Sequence, residues 1–240
     1  MKEKNIAIDL YGDGIGTVEL VDYMGNDLTI VNAARVSFGK HKDILDEKDE
    51  KLIKYLVHNR HTSTFEHNVA TFRFTVPLFV RSQHHRHRTW SYNEISRRYT
   101  DVDIRFYEPK VFRTQHTDNR QASNIDDLGD PIINPDAVHG GQSVSYMVMH
   151  HHLNSLQLYK KLIKSGVCRE QARGVLPQNM YTEYYGTCNL NNLLKFIDLR
   201  IHEGAQPEIQ KVAKAVLEII AELWPTAVDS YGDVRRRENE

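Results

Sequence analysis

Residues Arg81 to Arg98, with the sequence RSQHHRHRTWSYNEISRR, are the most unusual segment of this 240-residue chain. Five arginines against one glutamate leave a formal charge of +4 over the segment, whereas the whole protein has a net charge of −1. Like charges at this density repel one another, and an arginine fork binds phosphate or carboxylate most strongly when it does so bidentately. The segment therefore predicts a pocket for a ligand with several phosphates, with a solvated basic face as the alternative.

The aromatic residues Trp90 and Tyr92 lie within this basic segment and provide surfaces on which bases can stack. An RNA- or DNA-binding module that uses residues 81–98 is therefore the alternative function. We favour a small nucleotide ligand and no nucleic acid, because nucleic-acid binding usually shows a basic stripe through the whole domain and none continues here. We expect no metal site, because the arginines beside His84 and His87 would repel a cation.

Strongly patterned elements flank the basic segment. The alternation of apolar and polar residues over 69–76 predicts a half-buried strand that ends at Pro77, followed by a helix to about Arg88. Apolar residues at helical spacing predict long helices from Ser143 to Lys164 and from Pro207 to Pro225. The remaining predicted elements are strands at 17–23, 105–112 and 182–187, a helix that Asp27 caps, a helix at 48–59, and a helix at 193–199 capped by Asn189 or Asn191.

The order of these elements predicts a single α+β domain over residues 1–240, in which a small, mostly antiparallel sheet packs against long helices. Residues 113–140 are poor in apolar residues and rich in Asp, Asn, Pro and Gly, so we expect a long loop excursion there. The charged C-terminus predicts a flexible tail from about residue 232.

The composition excludes several classes of protein. Hydrophobic residues are 40% and charged residues 26% of the chain, which is ordinary for a globular protein. Cys168 and Cys188 form neither a disulfide framework nor a CxxC motif. The chain has no run of 18 apolar residues and no signal-peptide pattern at the N-terminus, so we expect a soluble, cytoplasmic protein without a membrane partner.

Several motifs resemble those of one enzyme family. Residues Arg86 to Arg98 match the RHRxxSxNExSxR signature of the flavin-dependent thymidylate synthases at every fixed position. Residues 61–67 (HTSTFEH) resemble the family's HxxxFEH segment, and residues 76–83 resemble the lead-in to the signature. Residues 168–177 resemble a later helix of the family, and residues 189–206 resemble its C-terminal ligand segment. The similarity extends over most of the chain.

This resemblance implies an activity and an assembly. The family methylates dUMP to dTMP, with methylenetetrahydrofolate as the one-carbon donor and with FAD that is reduced by NADPH. The resemblance also implies a homotetramer whose active sites lie at subunit interfaces. It further implies that Arg200 is catalytic, because a guanidinium can stabilise negative charge on the uracil ring without losing a proton.

The resemblance also assigns ligand-binding residues. The residues expected to bind FAD are Ser63, Arg86, His87, Arg88, Glu94, Asn189, Asn191 and Lys195. The residues expected to bind dUMP are Gln83, Arg86, Glu94, Ser96, Arg97, Arg98, Arg173 and Arg200. His61 is expected near the flavin and the folate.

Three positions depart from the family pattern. Asn191 stands where arginine is common, Lys195 where asparagine or histidine is common, and Gly204 where histidine is common. Lys195 is counted with the FAD residues because its charge would replace the one missing at Asn191.

Overall fold

The computed structural model describes residues 6–134 and 140–238. Strands and helices are interspersed along these ranges. In chain order the elements are β1 (Ala7–Asp9), β2 (Thr17–Met24), α1 (Asp27–Arg35), α2 (Glu47–His58), β3 (Val69–Pro77), α3 (Leu78–His84), β4 (Ser91–Glu94), β5 (Arg113–Gln115), β6 (Ser123–Asp127), β7 (Ile132–Ile133), β8 (Gln142–Ser143), α4 (Val144–Lys164), α5 (Arg169–Ala172), β9 (Tyr181–Asn189), α6 (Leu190–Ile201), α7 (Pro207–Leu223) and α8 (Pro225–Glu238). A short 3₁₀ helix at Thr62–His67 precedes β3.

Five of the strands form the central sheet, in the order β1-β2-β3-β9-β4, and each pair of neighbours is antiparallel. The predicted alternation is present in β3, where Phe72, Phe74 and Val76 are fully buried while Arg73 and Thr75 on the other face are half-buried. Because β3 is the middle strand, its apolar face becomes the centre of the core. This sheet and its helices confirm the predicted α+β fold.

Helix α7 supplies one of the largest contributions to the core. Ile209, Val212, Val216 and Ile219 recur at intervals of three and four along this helix and are all fully buried, as the sequence predicts. The helix ends at Leu223, and its C-cap is Trp224, whose indole is fully buried and donates from Nε1 to the carbonyl oxygen of Gly25 at 3.1 Å. The end of α7 is thereby fixed to the turn between β2 and α1.

Helix α4 is the longest helix among the described residues, and it begins where the sequence predicts, with Ser143 as its N-cap. Only three of its side chains are buried, namely those of His152, Ser155 and Tyr159. Several large apolar side chains of α4 are exposed instead, namely those of Tyr146, Met147, Met149, Leu153 and Leu158. Most of the surface of this helix therefore has no partner within the described part of one chain.

Two predicted segments have more structure than the sequence suggested. The excursion at 113–140 contains the antiparallel pairs β5–β6 and β7–β8, although residues 135–139 lie outside the described ranges. The segment from residue 232, predicted as a flexible tail, continues α8 to Glu238. Two of its charged side chains have partners, since Arg235 Nε lies 3.1 Å from an Asp198 oxygen and Lys54 Nζ lies 2.6 Å from Asp233. These contacts stabilise a helix that its own composition does not favour.

Two other predictions extended elements too far. The segment 105–112 makes only an isolated bridge between Phe106 and Met180 rather than a strand, because Pro109 cannot donate to a ladder. Helix α3 ends at His84 instead of near Arg88. Beyond that point the backbone is bound to a neighbouring strand, as described next.

Candidate active site

The basic segment forms the end of α3, a short loop and strand β4. Tyr92 of β4 fixes the loop, because its hydroxyl donates to the carbonyl oxygens of His84 at 3.0 Å and His87 at 3.2 Å. The Cys188 thiol lies 3.8 Å from the carbonyl oxygen of Thr89. The loop therefore lies against the end of β9, close to the start of α6.

Arg200, the predicted catalytic residue, lies in the last turn of α6 and reaches this loop. Its Nε donates to His87 Nε2 at 3.0 Å, and its Nη2 donates to the carbonyl oxygen of Gln83 at 3.2 Å. The Gln83 side chain in turn donates from Nε2 to Gln206 Oε1 at 2.5 Å. Parts of α3, α6 and the start of α7 thus meet around one guanidinium group.

Two histidines near Arg200 are uncharged. His84 is fully buried, and its Nδ1 lies 2.8 Å from the Tyr184 hydroxyl. Burial, and then the neighbouring charges, lowers the pKa of His84 well below its ordinary value. Burial, and then the charge of Arg200, lowers the pKa of His87 to about 4. At neutral pH the positive charge of this region therefore comes from its arginines and not from these two histidines.

A cleft of about 500 Å³ lies beside strand β4, and four of the predicted dUMP residues line it, namely Glu94, Ser96, Arg97 and Arg173. Glu94 is oriented within the cleft, because its Oε1 accepts hydrogen bonds from Arg81 Nε at 3.0 Å and from Thr182 Oγ1 at 2.7 Å. Three separate chain segments therefore bring cationic, hydroxyl and carboxylate groups to one cleft.

The arginines of this cleft differ in their surroundings. Arg97 is 8% exposed and donates from Nη1 to the carbonyl oxygen of Val102 at 2.7 Å. Its Nε is buried and has no hydrogen-bond partner among the described residues. Burial lowers the pKa of Arg97, which nonetheless keeps its charge at neutral pH. By contrast, Arg98, which is predicted to bind dUMP, is not among the residues that line the cleft. Its side chain is exposed, and its Nε lies 3.7 Å from a Glu170 oxygen.

The residues predicted to bind FAD are divided between two further pockets and the loop. His61 and Ser63 line an open pocket of about 840 Å³. Asn191 and Lys195 line a pocket of about 310 Å³ beside α6. Asn189 is the N-cap of α6, where its side chain accepts from the backbone N–H of Asn192. The described part of one chain therefore does not bring all the predicted FAD residues into a single cavity.

Arg86 and Arg88 are exposed on the loop between α3 and β4. Neither has an ion pair within the described ranges. Basic side chains that protrude from a loop without a counter-charge suit a phosphate-bearing ligand.

Comparison with known proteins identifies the family. A family model described as thymidylate synthase complementing protein matches residues 19–226. The chain belongs to the flavin-dependent thymidylate synthase family. Its relatives include the flavin-dependent thymidylate synthase of Thermus thermophilus, which is 43% identical over 88% of this chain and 74% of the relative. The corresponding enzyme of Thermotoga neapolitana is 42% identical over 90% of both chains.

Two solved structures of a related enzyme resemble this member of the synthase family. The UMP/dUMP methylase PolB from Streptomyces cacaoi, bound with 5-Br dUMP, gives a TM-score of 0.74 at 33% identity, covering 91% of this chain and 95% of that one. The same methylase bound with 5-Br UMP gives a TM-score of 0.77. The fold of this synthase-family chain is thus shared with an enzyme that methylates a uracil nucleotide.

Sequence reasoning missed three residues that the structure places in contact with predicted site residues. Thr182 and Arg81 orient Glu94, and Gln206 binds the side chain of Gln83. Arg81 is part of the basic segment 81–98, and Gln206 is the last residue of the segment 189–206 that resembles the family. The sequence therefore gave a weak indication that both belong to the site. Thr182 is one polar residue within a predicted strand and had none.

Neither metal ligands nor a membrane span is found in the described parts of the chain. No group of three or more histidine, cysteine or acidic side chains is arranged to hold a metal ion within residues 6–134 and 140–238. Over the same ranges, every helix is too short or too polar to cross a bilayer.

Proposed function

We propose that this chain methylates dUMP to dTMP, with methylenetetrahydrofolate as the one-carbon donor and with FAD, reduced by NADPH, as the redox cofactor. The observation that carries this proposal is the contact of Arg200 with His87 and Gln83 in a family member that also has an arginine-lined cleft beside β4. The resemblance of the fold to a methylase solved with 5-Br dUMP supports the choice of substrate.

The cleft beside β4 suits the phosphate of dUMP. Arg173 is exposed at its rim, and Ser96 offers a hydroxyl donor. The orphaned Nε–H of buried Arg97 requires an acceptor that the described residues do not supply. We infer that phosphate oxygens are bound by these groups, and that Glu94, held by Arg81 and Thr182, accepts hydrogen bonds from the rest of the nucleotide.

The residues assigned to FAD fit a dinucleotide with a pyrophosphate group. Arg86 and Arg88 are exposed and lack ion pairs in the described structure, and Lys195, which lines the pocket beside α6, adds a third cation. Asn189 lies at the N-terminus of α6, where backbone N–H groups favour an anion. When bound, FAD supplies reducing equivalents that no side chain can provide.

Arg200 is the residue that we assign to the chemistry of the uracil ring. When C5 of uracil becomes nucleophilic, negative charge develops on the ring nitrogen and the carbonyl oxygens. A fixed guanidinium lowers the energy of that charge, and it needs no proton transfer of its own because it stays charged at neutral pH. Burial strengthens this electrostatic effect, because Arg200 is half-buried against α3.

We propose that four copies of this chain form the active enzyme. Helix α4 exposes Tyr146, Met149 and Leu153 on one side and Met147 and Leu158 on another, which is unfavourable in water. The FAD residues and the dUMP cleft lie in separate pockets of one chain, so residues from another copy would complete each site. Light scattering of the purified protein is expected to give four times the mass of the 27.9 kDa chain.

The function is tested directly with purified protein. We expect it to take up FAD, to show a change in the flavin absorbance when dUMP is added, and to form dTMP with methylenetetrahydrofolate and NADPH. A parallel assay with UMP tests the nucleotide preference. A protein that takes up no FAD, or that leaves dUMP unchanged with all co-substrates present, would contradict the proposal.

A further inference from the structure

The guanidinium of Arg200 is held along one edge only. Its Nε donates to His87 Nε2 and its Nη2 donates to the carbonyl oxygen of Gln83, at 3.0 and 3.2 Å. Within the described ranges Arg200 makes no other hydrogen bond. Since Nε and Nη2 form one edge of the planar group, the edge formed by Nη1 and Nη2 remains for a ligand.

The contact with Arg200 defines the proton on His87. The Arg200 nitrogen can only donate, so His87 Nε2 must accept, and a neutral ring that accepts at Nε2 carries its proton on Nδ1. A doubly protonated ring would direct an N–H toward the N–H of Arg200 and break the contact. Burial and the charge of Arg200 favour the neutral form, because they lower the pKa of His87 to about 4.

Both the backbone and the ring of His87 are held by neighbouring residues. Its backbone carbonyl accepts from Tyr92 of β4, and its ring makes an edge contact with Phe196 of α6 at 4.9 Å between centroids. The titratable and charged groups that face the ring are Arg200 from α6 and His84 from α3, whose ring centroid lies 6.3 Å away. The charge of Arg200 opposes a second proton on the His87 ring, whereas His84 is uncharged.

We propose that His87 is a positioning residue for Arg200, whose Nε2 acceptor turns the open edge of the guanidinium toward the uracil ring of dUMP. This inference rests on the proposed function. It differs from the FAD contact that the family resemblance implies for His87, because Nε2 is occupied by Arg200. The Gln83 carbonyl oxygen holds Nη2 of Arg200 while His87 holds Nε, so the two contacts together define the orientation of the guanidinium plane.

Two substitutions of His87 distinguish the effect of losing its hydrogen-bond acceptor from the effect of changing the size of its side chain. His87→Gln keeps an amide oxygen that can accept from Arg200, whereas His87→Leu keeps an apolar side chain without an acceptor. We expect His87→Leu to lower kcat by about 10- to 100-fold, with a smaller change in KM for dUMP, and His87→Gln to recover most of kcat. His41→Leu is the matched control, because the side chain of His41 is 72% exposed, and it is expected to behave as wild type.

The FAD content of each variant, measured from its absorbance, distinguishes positioning from cofactor binding. We expect both His87 variants to retain FAD, whereas a role limited to FAD binding would lower FAD content in both. The pH profile is a second readout. In the wild type kcat should fall as the pH approaches about 4, where His87 gains a second proton, and His87→Gln should lack that decline.

The hydrogen bond itself is measured by NMR on protein with ¹⁵N-labelled arginine, with the Arg200 Nε–H signal assigned from Arg200→Lys. This readout requires no substrate, so it tests the contact even if wild-type protein fails to methylate dUMP, which would contradict only the proposed function. If His87→Leu does not fold, the pH profile of His87→Gln and the Arg200 Nε–H signal still test whether His87 positions Arg200. An Arg200 signal that is independent of His87, a kcat for His87→Leu equal to wild type, or a His87→Gln as slow as His87→Leu would overturn the proposal.

Discussion

Asn191 donates a hydrogen bond from its side-chain amide to the Glu66 carboxylate at 2.9 Å, and this contact joins the first turn of α6 to the 3₁₀ helix before β3. Asn191 is 7% exposed. Arginine is common at this position in the family pattern that the sequence resembles, and it would add a charge as well as a hydrogen bond. In this chain the amide preserves the link between the two elements, while the nearby positive charge is supplied by Lys195 on the next turn of α6.

The link between Asn191 and Glu66 should be measurable as a coupling energy. In a double-mutant cycle of Asn191→Ala and Glu66→Ala, we expect about 1–2 kcal/mol of coupling in the free energy of unfolding, because the acceptor is ionised. Urea denaturation of the four proteins gives this value. Glu66→Gln serves as the control, since its amide oxygen still accepts, and additive effects of the two alanine substitutions would show that the contact contributes nothing.

Arg200→Ala should separate catalysis from cofactor binding. Its guanidinium contacts α3 but lines none of the pockets that contain the predicted FAD residues, so FAD uptake should be unchanged. We expect turnover to fall on the order of 100-fold or more, as when a donor that stabilises developing negative charge is removed. Arg120→Ala, at an exposed hairpin arginine, is the matched control. Near-normal dTMP formation by Arg200→Ala would remove Arg200 from the catalytic assignment.

Neither cysteine should be needed for activity. Cys188 is 3% exposed, and burial raises the pKa of its thiol to about 12, so the thiolate that acts as a nucleophile is absent at neutral pH. Cys168 is exposed at the start of α5. We expect Cys168→Ala and Cys188→Ala to keep most of the wild-type rate of dTMP formation. If either variant folds and binds FAD but is inactive, a thiol step must be added to the mechanism.

His84 should make the free energy of unfolding depend on pH. Because burial lowers the pKa of His84 in the folded state, the unfolded chain binds an extra proton below a pH of about 6.5. The stability of the folded protein with neutral His84 is therefore fully present above that pH, and part of it is lost as the pH falls. Between pH 7 and pH 5 the free energy of unfolding should fall for this reason, by at most about 1.4 kcal/mol for each pH unit.

The contribution of His84 is isolated by comparison with His84→Gln. Other groups titrate in both proteins, so the difference between their pH slopes reports this one histidine. Urea unfolding at several pH values between 5 and 7 gives the slopes. Equal slopes would mean that His84 takes up a proton in the folded protein, in conflict with its complete burial among Phe74, Trp90 and Phe196.

The elements that could be predicted from the sequence are those whose pattern is local. The alternation in β3 and the spacing of apolar residues in α7 each indicated both the type of element and the buried face. Asp27 shows the limit of such reasoning. It was predicted to cap α1, but Asn26 caps that helix, and Asp27 accepts from the backbone N–H groups of Thr226 and Ala227 at the start of α8. No local signal connects residues that are about 200 positions apart.

The same distinction applies to the site. The charge surplus of residues 81–98 is local, so the prediction that phosphates bind there needs no knowledge of the fold. The contact of Arg200 with His87 spans 113 positions and that of Thr182 with Glu94 spans 88, so only the folded sheet and helix α6 bring these groups together. The burial that makes His87 an acceptor also arises only in the fold.

A crystal structure of the protein with FAD and dUMP is the most direct test of the central claim, that bound nucleotides neutralise the arginine-rich segment and place uracil beside Arg200. We expect the dUMP phosphate within hydrogen-bond distance of Arg97 and Arg173, the FAD pyrophosphate near Arg86 or Arg88, and the uracil ring at the Nη1–Nη2 edge of Arg200. Both ligands bound elsewhere, with these guanidinium groups extended into solvent, would contradict it.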